Sequence, residues 1–141
     1  MPVRAETRAR AFALQLLYAW DVGGTPPQGG REALWSRVTG MTGARPRTEE
    51  RAHQLAALVA ARCGEIDGRI KAASDRWRLD RLGVVDRNIL RLGAAELLEG
   101  VTAPKIVLDE AVRLAQWFAG PRSPGFVNGV LDRIARDLGR L

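Results

Sequence analysis

The residues of this chain whose types and spacing could do chemistry are arginines and aromatics at helical intervals. Arg4 and Arg8 stand one helical turn apart, and Gln15 and Tyr18 continue the same face. Guanidinium groups contact phosphate, and a phenol ring stacks on an unpaired base, so this face suits single-stranded nucleic acid. It suits equally a solvated polar face with one amphipathic tyrosine. Arg10 sits on the flank and reaches the same strand only if the backbone curves around the helix. A second signal is SPGFVNGVLD at 123–132. Phe126 falls at the edge of an apolar stripe, Asn128 faces away from it, and Gly129 crowds no neighbour. A helix N-terminus with an edge aromatic can hold a phosphate on its amides and a base on the ring; the plainer alternative has Phe126 completing the core. A third signal is Ile106 and Trp117, rimmed by Glu110 and Arg113 opposite Val107 and Leu114. An apolar pair rimmed by charge is the pattern of a protein interface, or of packing on a neighbouring loop.

Catalytic constellations are thin in the sequence. It contains no GxxxxGK[ST], GxGxxG or HExxH, so phosphate-cradling loops and the commonest metalloprotease site have no carrier. His53, the lone histidine, has no GxSxG serine elbow to serve and reads as a helix-surface residue. Cys63, the lone cysteine, reads as a small packing residue. Asp109 and Glu110 are adjacent on a helix and diverge by about 100°, so they form no acid–base pair. Glu96 lies within an apolar stripe, where an unpaired charge is costly; a buried ion pair or helix-end contact is expected. No catalytic residue, metal ligand or cofactor is expected.

The elements that must position these residues read as helices throughout. Ala5 to Asp21 places Ala9, Phe12, Ala13, Leu16 and Trp20 on one face and Arg4, Arg8, Ala11, Gln15 and Tyr18 on the other, stepping about 100° per residue. The run VGGTPPQGG at 22–30 is turn chemistry. A short helix at 31–38 carries Trp35, and 39–47 is a loop. Thr48 caps a helix running to about Cys63, Gly64 interrupts, and Glu65 to about Trp77 follows. Leu82 to Glu99 is the most apolar helix, with Val85, Ile89, Leu92 and Leu97 inward and Gly100 closing it. Lys105 to Ala119 opens on Pro104 and buries Val107, Ala111, Leu114 and Phe118. Ser123 caps the last helix and Pro124 starts it, with Val127, Val130, Leu131, Ile134 and Leu138 buried. The fold class is all-α, a single compact bundle of about seven helices, and 1–141 is one domain.

Composition agrees. The 141 residues carry 22 Lys and Arg against 16 Asp and Glu, a net charge of +6. Residues 1–47 hold +4 of it, so a polyanion would be met in the first third. One cysteine excludes an internal disulfide and fits a reducing compartment. No run approaches the ~18 apolar residues of a membrane span, and MPVRAETRAR lacks the apolar core of a secretory signal. A soluble, cytoplasmic protein is expected.

Three blocks resemble the NusB family of transcription antitermination factors: RARAFALQLLYAWD at 8–21, RLGVVDRNILRLGAAELL at 81–98 with Glu96, and APKIVLDEAVRLAQWFAGPRSPGFVNGVLD at 103–132. FVNGVLD is the most specific part. The resemblance implies about seven helices in two sub-bundles, no catalysis, and binding of boxA RNA in ribosomal RNA leader transcripts. It implies the ribosomal protein NusE as partner, within an RNA polymerase antitermination complex. Its RNA surface would comprise Arg4, Arg8, Arg10 and Tyr18 with Phe126 and Asn128; NusE would meet the later helices, where Ile106, Glu110, Arg113 and Trp117 are candidates. The chain departs from the family pattern at Gly125, a position often basic, at Pro121-Arg122, typically an acidic polar turn, and at Trp117, usually smaller or more polar. Two other readings remain: the helical domain of a ribosomal RNA cytosine methyltransferase, and an interaction module without RNA binding. The start at Met1 and the basic end at Arg140-Leu141 favour a complete short protein.

Overall fold

A computed structural model describes residues 4–23, 46–74 and 81–141. Every regular element among them is a helix: α1 (Ala5–Gly23), α2 (Pro46–Ala61), α3 (Cys63–Ala73), α4 (Val84–Glu99), α5 (Pro104–Phe118) and α6 (Ser123–Asp137). All six fall where the apolar spacing puts a helix. The helix expected at 31–38, Trp35 and Trp77 lie outside the described residues. None of the described helices is long and apolar enough to cross a membrane. The chain divides into two compact units, Met1–Ala61 and Arg62–Leu141.

In the first unit α1 packs along α2. Ala52, Leu55, Ala56 and Val59 give α2 a buried stripe at i, i+3, i+4, i+7. The inward side of α1 is broader than a stripe. Every residue from Ala9 to Leu14 is buried, Ala11 included, so the middle of this helix is enclosed on most sides and only a narrow strip stays out. Ala11 thus belongs to the core: a methyl group is small enough to be covered by its neighbours. Two boundaries also move. α1 runs on through Gly23, and α2 begins at Pro46, which puts Thr48 in the first turn rather than at the cap.

The second unit is built on α4, α5 and α6, each packed on the other two, with α3 against α4 and α6. The break before α3 is made by Arg62, whose φ of −117° and ψ of 24° leave the helical region; Gly64, expected to interrupt, lies inside α3. Arg62 then donates from both Nε and Nη2 to Glu65, at 3.0 and 2.9 Å, across one turn. Arg91 on α4 grips Asp67 on α3 through Nε and Nη2 at 2.9 and 3.0 Å, a two-pronged pairing that fixes orientation as well as distance. Ile89, Leu90, Leu92 and Leu97 of α4 are at most 1% exposed and form the centre of the core with Val127, Leu131 and Ile134 of α6. Glu96, 1% exposed among them, interacts with a neighbour, as a buried carboxylate must.

Two glycines set distances here. At Gly93 an added Cβ would lie 2.6 Å from Leu131 Cδ1, so the Leu131 side chain of α6 packs onto the α4 backbone and would have to shift for any larger residue at 93. Gly100 ends α4 in the left-handed conformation, φ 76°, its N–H bonding Glu96 O, the usual glycine stop. Arg140 closes the same end by donating to the carbonyls of Leu97 and Gly100. It is aimed there by the turn that ends α6. Gly139 has a φ of 70°, and the Gly139 and Arg140 N–H groups reach back to Arg136 O and Ala135 O at 2.9 Å each. A cation at a helix C-terminus is also favoured by the helix dipole.

Candidate nucleic-acid interface

On α1 the exposed strip carries Arg4, Arg8 and Tyr18, with Gln15 half-buried between them. Arg4 precedes the helix, and its carbonyl accepts the Arg8 N–H at 3.0 Å, which fixes the two one turn apart. At about 1.5 Å rise per residue, Arg8 to Tyr18 spans roughly 15 Å, the reach of a few nucleotides. Arg10 is not on this surface. It is only 4% exposed and is engaged within the protein, because the flank of α1 on which it sits is covered. The charge expected to reach an RNA strand from 10 is therefore unavailable, and the strip has two guanidinium groups instead of three.

In the second unit the first turn of α6 presents the other candidates. Asn128 is exposed, Phe126 is half-buried, and Gly125 and Gly129 are exposed with no atom within 4 Å of where a Cβ would stand. Arg122, not Ser123, occupies the N-cap position, and no side chain caps the helix; Ser123 is instead the first residue of the helix and is buried. The Ser123 and Phe126 N–H groups bond the carbonyls of Gly120 and Arg122, at 3.0 and 3.3 Å, and Pro124 has none, so of the leading groups only the Gly125 N–H is left without a cap. Phe126 lines a cleft of about 220 Å³ with Arg81, Leu82, Gly83, Asp86, Arg122 and Ser123. The cleft brings the N-terminal ends of α4 and α6 together. Arg81 and Asp86 went unnoticed in the sequence because each, taken alone, is ordinary: an arginine before a helix, and an acid in a first turn. Only the fold sets them beside Phe126.

The α5 face also differs from expectation. Ile106 and Trp117 are exposed, 49% and 45%, but Glu110 is buried at 9%, its Oε1 lying 3.9 Å from Arg113 Nε. Glu110 therefore does not rim the patch; of the two charges expected there, only Arg113 is exposed. Phe118, expected in the core, is 45% exposed and meets Trp117 edge to face at 6.1 Å. As the last residue of α5 it lies past the end of the core that covers Leu114. The outward apolar surface thus gains an aromatic. Elsewhere His53 is half-buried on α2, and the Cys63 thiol, half-buried, donates to Asp67 Oδ2 at 3.8 Å, a packing position. Among the described residues no group of three His, Cys, Asp or Glu is placed to hold a metal.

Comparison with known proteins bears on the family and the fold. The model of the NusB family matches residues 7–136. The transcription antitermination protein NusB of Sorangium cellulosum (strain So ce56) is 41% identical over 138 residues, covering 97% of this chain and 96% of that protein. Among solved structures, a chain in the crystal structure of antitermination factors NusB and NusE in complex with dsRNA superposes with a TM-score of 0.83 at 33% identity, covering 96% of this chain and 99% of that one. A chain in the crystal structure of a plectonemic RNA supercoil gives a TM-score of 0.86, also at 33% identity, covering 96% and 97%.

Proposed function

The chain belongs to the NusB family, and from that premise we propose that it is a transcription antitermination factor. It binds boxA RNA of ribosomal RNA leader transcripts together with NusE, within the RNA polymerase antitermination complex in the cytoplasm. The observation that carries this reading is the strip of Arg4, just ahead of α1, with Arg8, half-buried Gln15 and Tyr18 on it, left outward along a helix whose middle, Ala9 to Leu14, is buried. Phosphate contacts come from the two arginines and stacking from Tyr18. Phe126 and Asn128, on the second unit, supply a further aromatic and an amide. NusE is assigned to the α5 face of Ile106, Arg113, Trp117 and Phe118. The factor acts by binding, with no catalytic step. Its Sorangium relative is matched over 96% of its own length, a likeness to a protein of this size rather than to one part of a longer methyltransferase.

The test is a titration of single-stranded boxA RNA, with and without NusE, across a salt series. Affinity should rise when NusE is added and fall with salt, each phosphate contact contributing about 0.7 to the slope of log affinity against log salt. Arg8→Ala should lower that slope by one such step and weaken matched and scrambled RNA alike, since a phosphate contact carries no sequence. Its melting temperature should hold, because exposed helix substitutions stay within about ±0.5 kcal/mol. Affinity that is flat with salt overturns the reading.

A further inference from the structure

The C-terminal end of α4 is held by a residue from just past the end of α6, and little else holds the link that follows. Residues 100–103 run from α4 to α5. Val101 is 76% exposed, so the link gains little from burial. The start of α5 adds nothing: Ala103 supplies no side-chain cap, and Pro104 has no N–H to donate. Among the described residues, the side chain that ties this stretch to a distant part of the chain is that of Arg140. Its Nη1 donates to Leu97 O and its Nη2 to Gly100 O, across 43 and 40 positions. The seat is shaped to the guanidinium, since a Cβ on Gly100 would stand 2.8 Å from Arg140 Nη1. The other side of the contact is firm. Gly139 and Arg140 turn back on the Arg136 and Ala135 carbonyls, and Ile134 and Ala135 are buried.

We propose that Arg140 is a strap: while it bridges the Leu97 and Gly100 carbonyls the α4–α5 link is closed, and when it lets go the last turn of α4 and the link open together, with the core intact. The last carbonyls of a helix have no donor within it. In the closed form one guanidinium, with donors on both terminal nitrogens, meets two of these carbonyls at once; in the open form water does. Local openings draw on segments with few buried apolar contacts, and this link is such a segment. The moving part is therefore the link rather than the anchored turn that carries Arg140. The strap also bears on the α5 face, a step that rests on the reading that gives this face to NusE. The link ends at the first turn of α5, where exposed Ile106 stands, so closure presents Ile106 already in place. A partner that binds the closed face draws the link shut.

The experiment follows amide hydrogen exchange on the full chain, residue by residue, in the wild type, Arg140→Ala and Arg140→Lys. Arg136→Ala is the control, because that guanidinium bonds Asp132 on its own helix. Arg140→Ala should speed exchange of the Gly100 N–H, which bonds Glu96 O, roughly tenfold or more, the scale of a hydrogen bond to a charged group. The amides of Leu92 and Leu131, both in the core, should exchange as before. Arg140→Lys, a point charge in place of a fork, should fall between wild type and Arg140→Ala, and Arg136→Ala should match the wild type. Saturating NusE should slow Gly100 exchange in the wild type and in Arg140→Ala alike. Unchanged Gly100 exchange in Arg140→Ala overturns the strap. Exchange at Leu92 and Leu131 that speeds by the same factor overturns it too, since Arg140 then supports the whole unit rather than the link. NusE that binds and leaves Gly100 exchange unaltered overturns the coupling to α5. Failure of NusE to bind the wild type overturns instead the partner reading, and the free chain's Gly100 exchange still decides the strap.

Discussion

Phe126 and Val130 lie one turn apart on α6, and one turn changes the work a side chain does. Val130 is 5% exposed and belongs to the packed stripe; Phe126 is half-buried at the mouth of the cleft. Val130→Ala should open a small cavity and cost on the order of 1–2 kcal/mol of stability while leaving RNA affinity alone, less than the ~2–5 kcal/mol of a Leu→Ala change. Phe126→Ala should cost about 1–3 kcal/mol of RNA affinity and well under the ~3–5 kcal/mol of stability lost with a fully buried phenylalanine. Urea melts and RNA titrations on both variants decide the matter. Phe126→Ala behaving as a core deletion with intact RNA affinity would return this ring to the core. At this scale the sequence was legible for side chains on a clean stripe or strip and misleading at the edges. Arg8 and Tyr18 point outward as their spacing implies. Arg10 and Phe118 exchange the places expected of them, because periodicity gives an angle around a helix but not how far along it, or how far around, its neighbours extend.

Between elements, the distance between α4 and α6 depends on Gly93. A methyl group there would meet Leu131 Cδ1 at 2.6 Å, and Leu131 is itself wholly buried, with little room to yield. Overpacking of this kind costs typically ~1–3 kcal/mol, more than the roughly 1 kcal/mol that alanine gains over glycine in a helix. Gly93→Ala should therefore lower the melting temperature. Gly68, inside α3 with nothing within 4 Å of its Cβ position, is the control: Gly68→Ala should raise it, by about 0.5–1 kcal/mol of stability. Equal responses would mean that helix propensity alone governs both sites. Helix existence was readable from apolar spacing because each of the six has a buried face. Helix ends were readable where backbone chemistry dictates them, as at Gly100. Where a single residue merely leaves the helical region, as Arg62 does ahead of Gly64, composition pointed to the wrong one.

Taken whole, the molecule presents two kinds of surface, and separating them experimentally requires variants that touch only one. Trp117 and Phe118 are exposed and meet edge to face, away from the arginines of α1 in sequence and from the cleft in composition. Trp117→Ala should leave the fold and the affinity for RNA alone within about ±0.5 kcal/mol. It should weaken NusE binding by more than ~1 kcal/mol, as loss of an interface tryptophan commonly does. Calorimetric titration with NusE measures it, and unaltered affinity would remove the α5 face from that role. The convergence of two helix N-termini on Phe126 was beyond reach of the sequence, since Arg81 and Asp86 stand 36 to 45 positions from their partners across the cleft.

The cations of the α1 strip and of the cleft are all guanidinium groups, and this limits how they can be regulated. The chain has only two lysines, Lys71 on α3 and Lys105 in the first turn of α5, both exposed. Arginine stays charged at any physiological pH and is not a substrate for acetylation. Enzymatic or metabolic acylation could thus neutralise a charge beside Ile106 on α5 while Arg4, Arg8, Arg81 and Arg122 remained cationic, leaving competition for the RNA, rather than covalent silencing, to set when those surfaces are free.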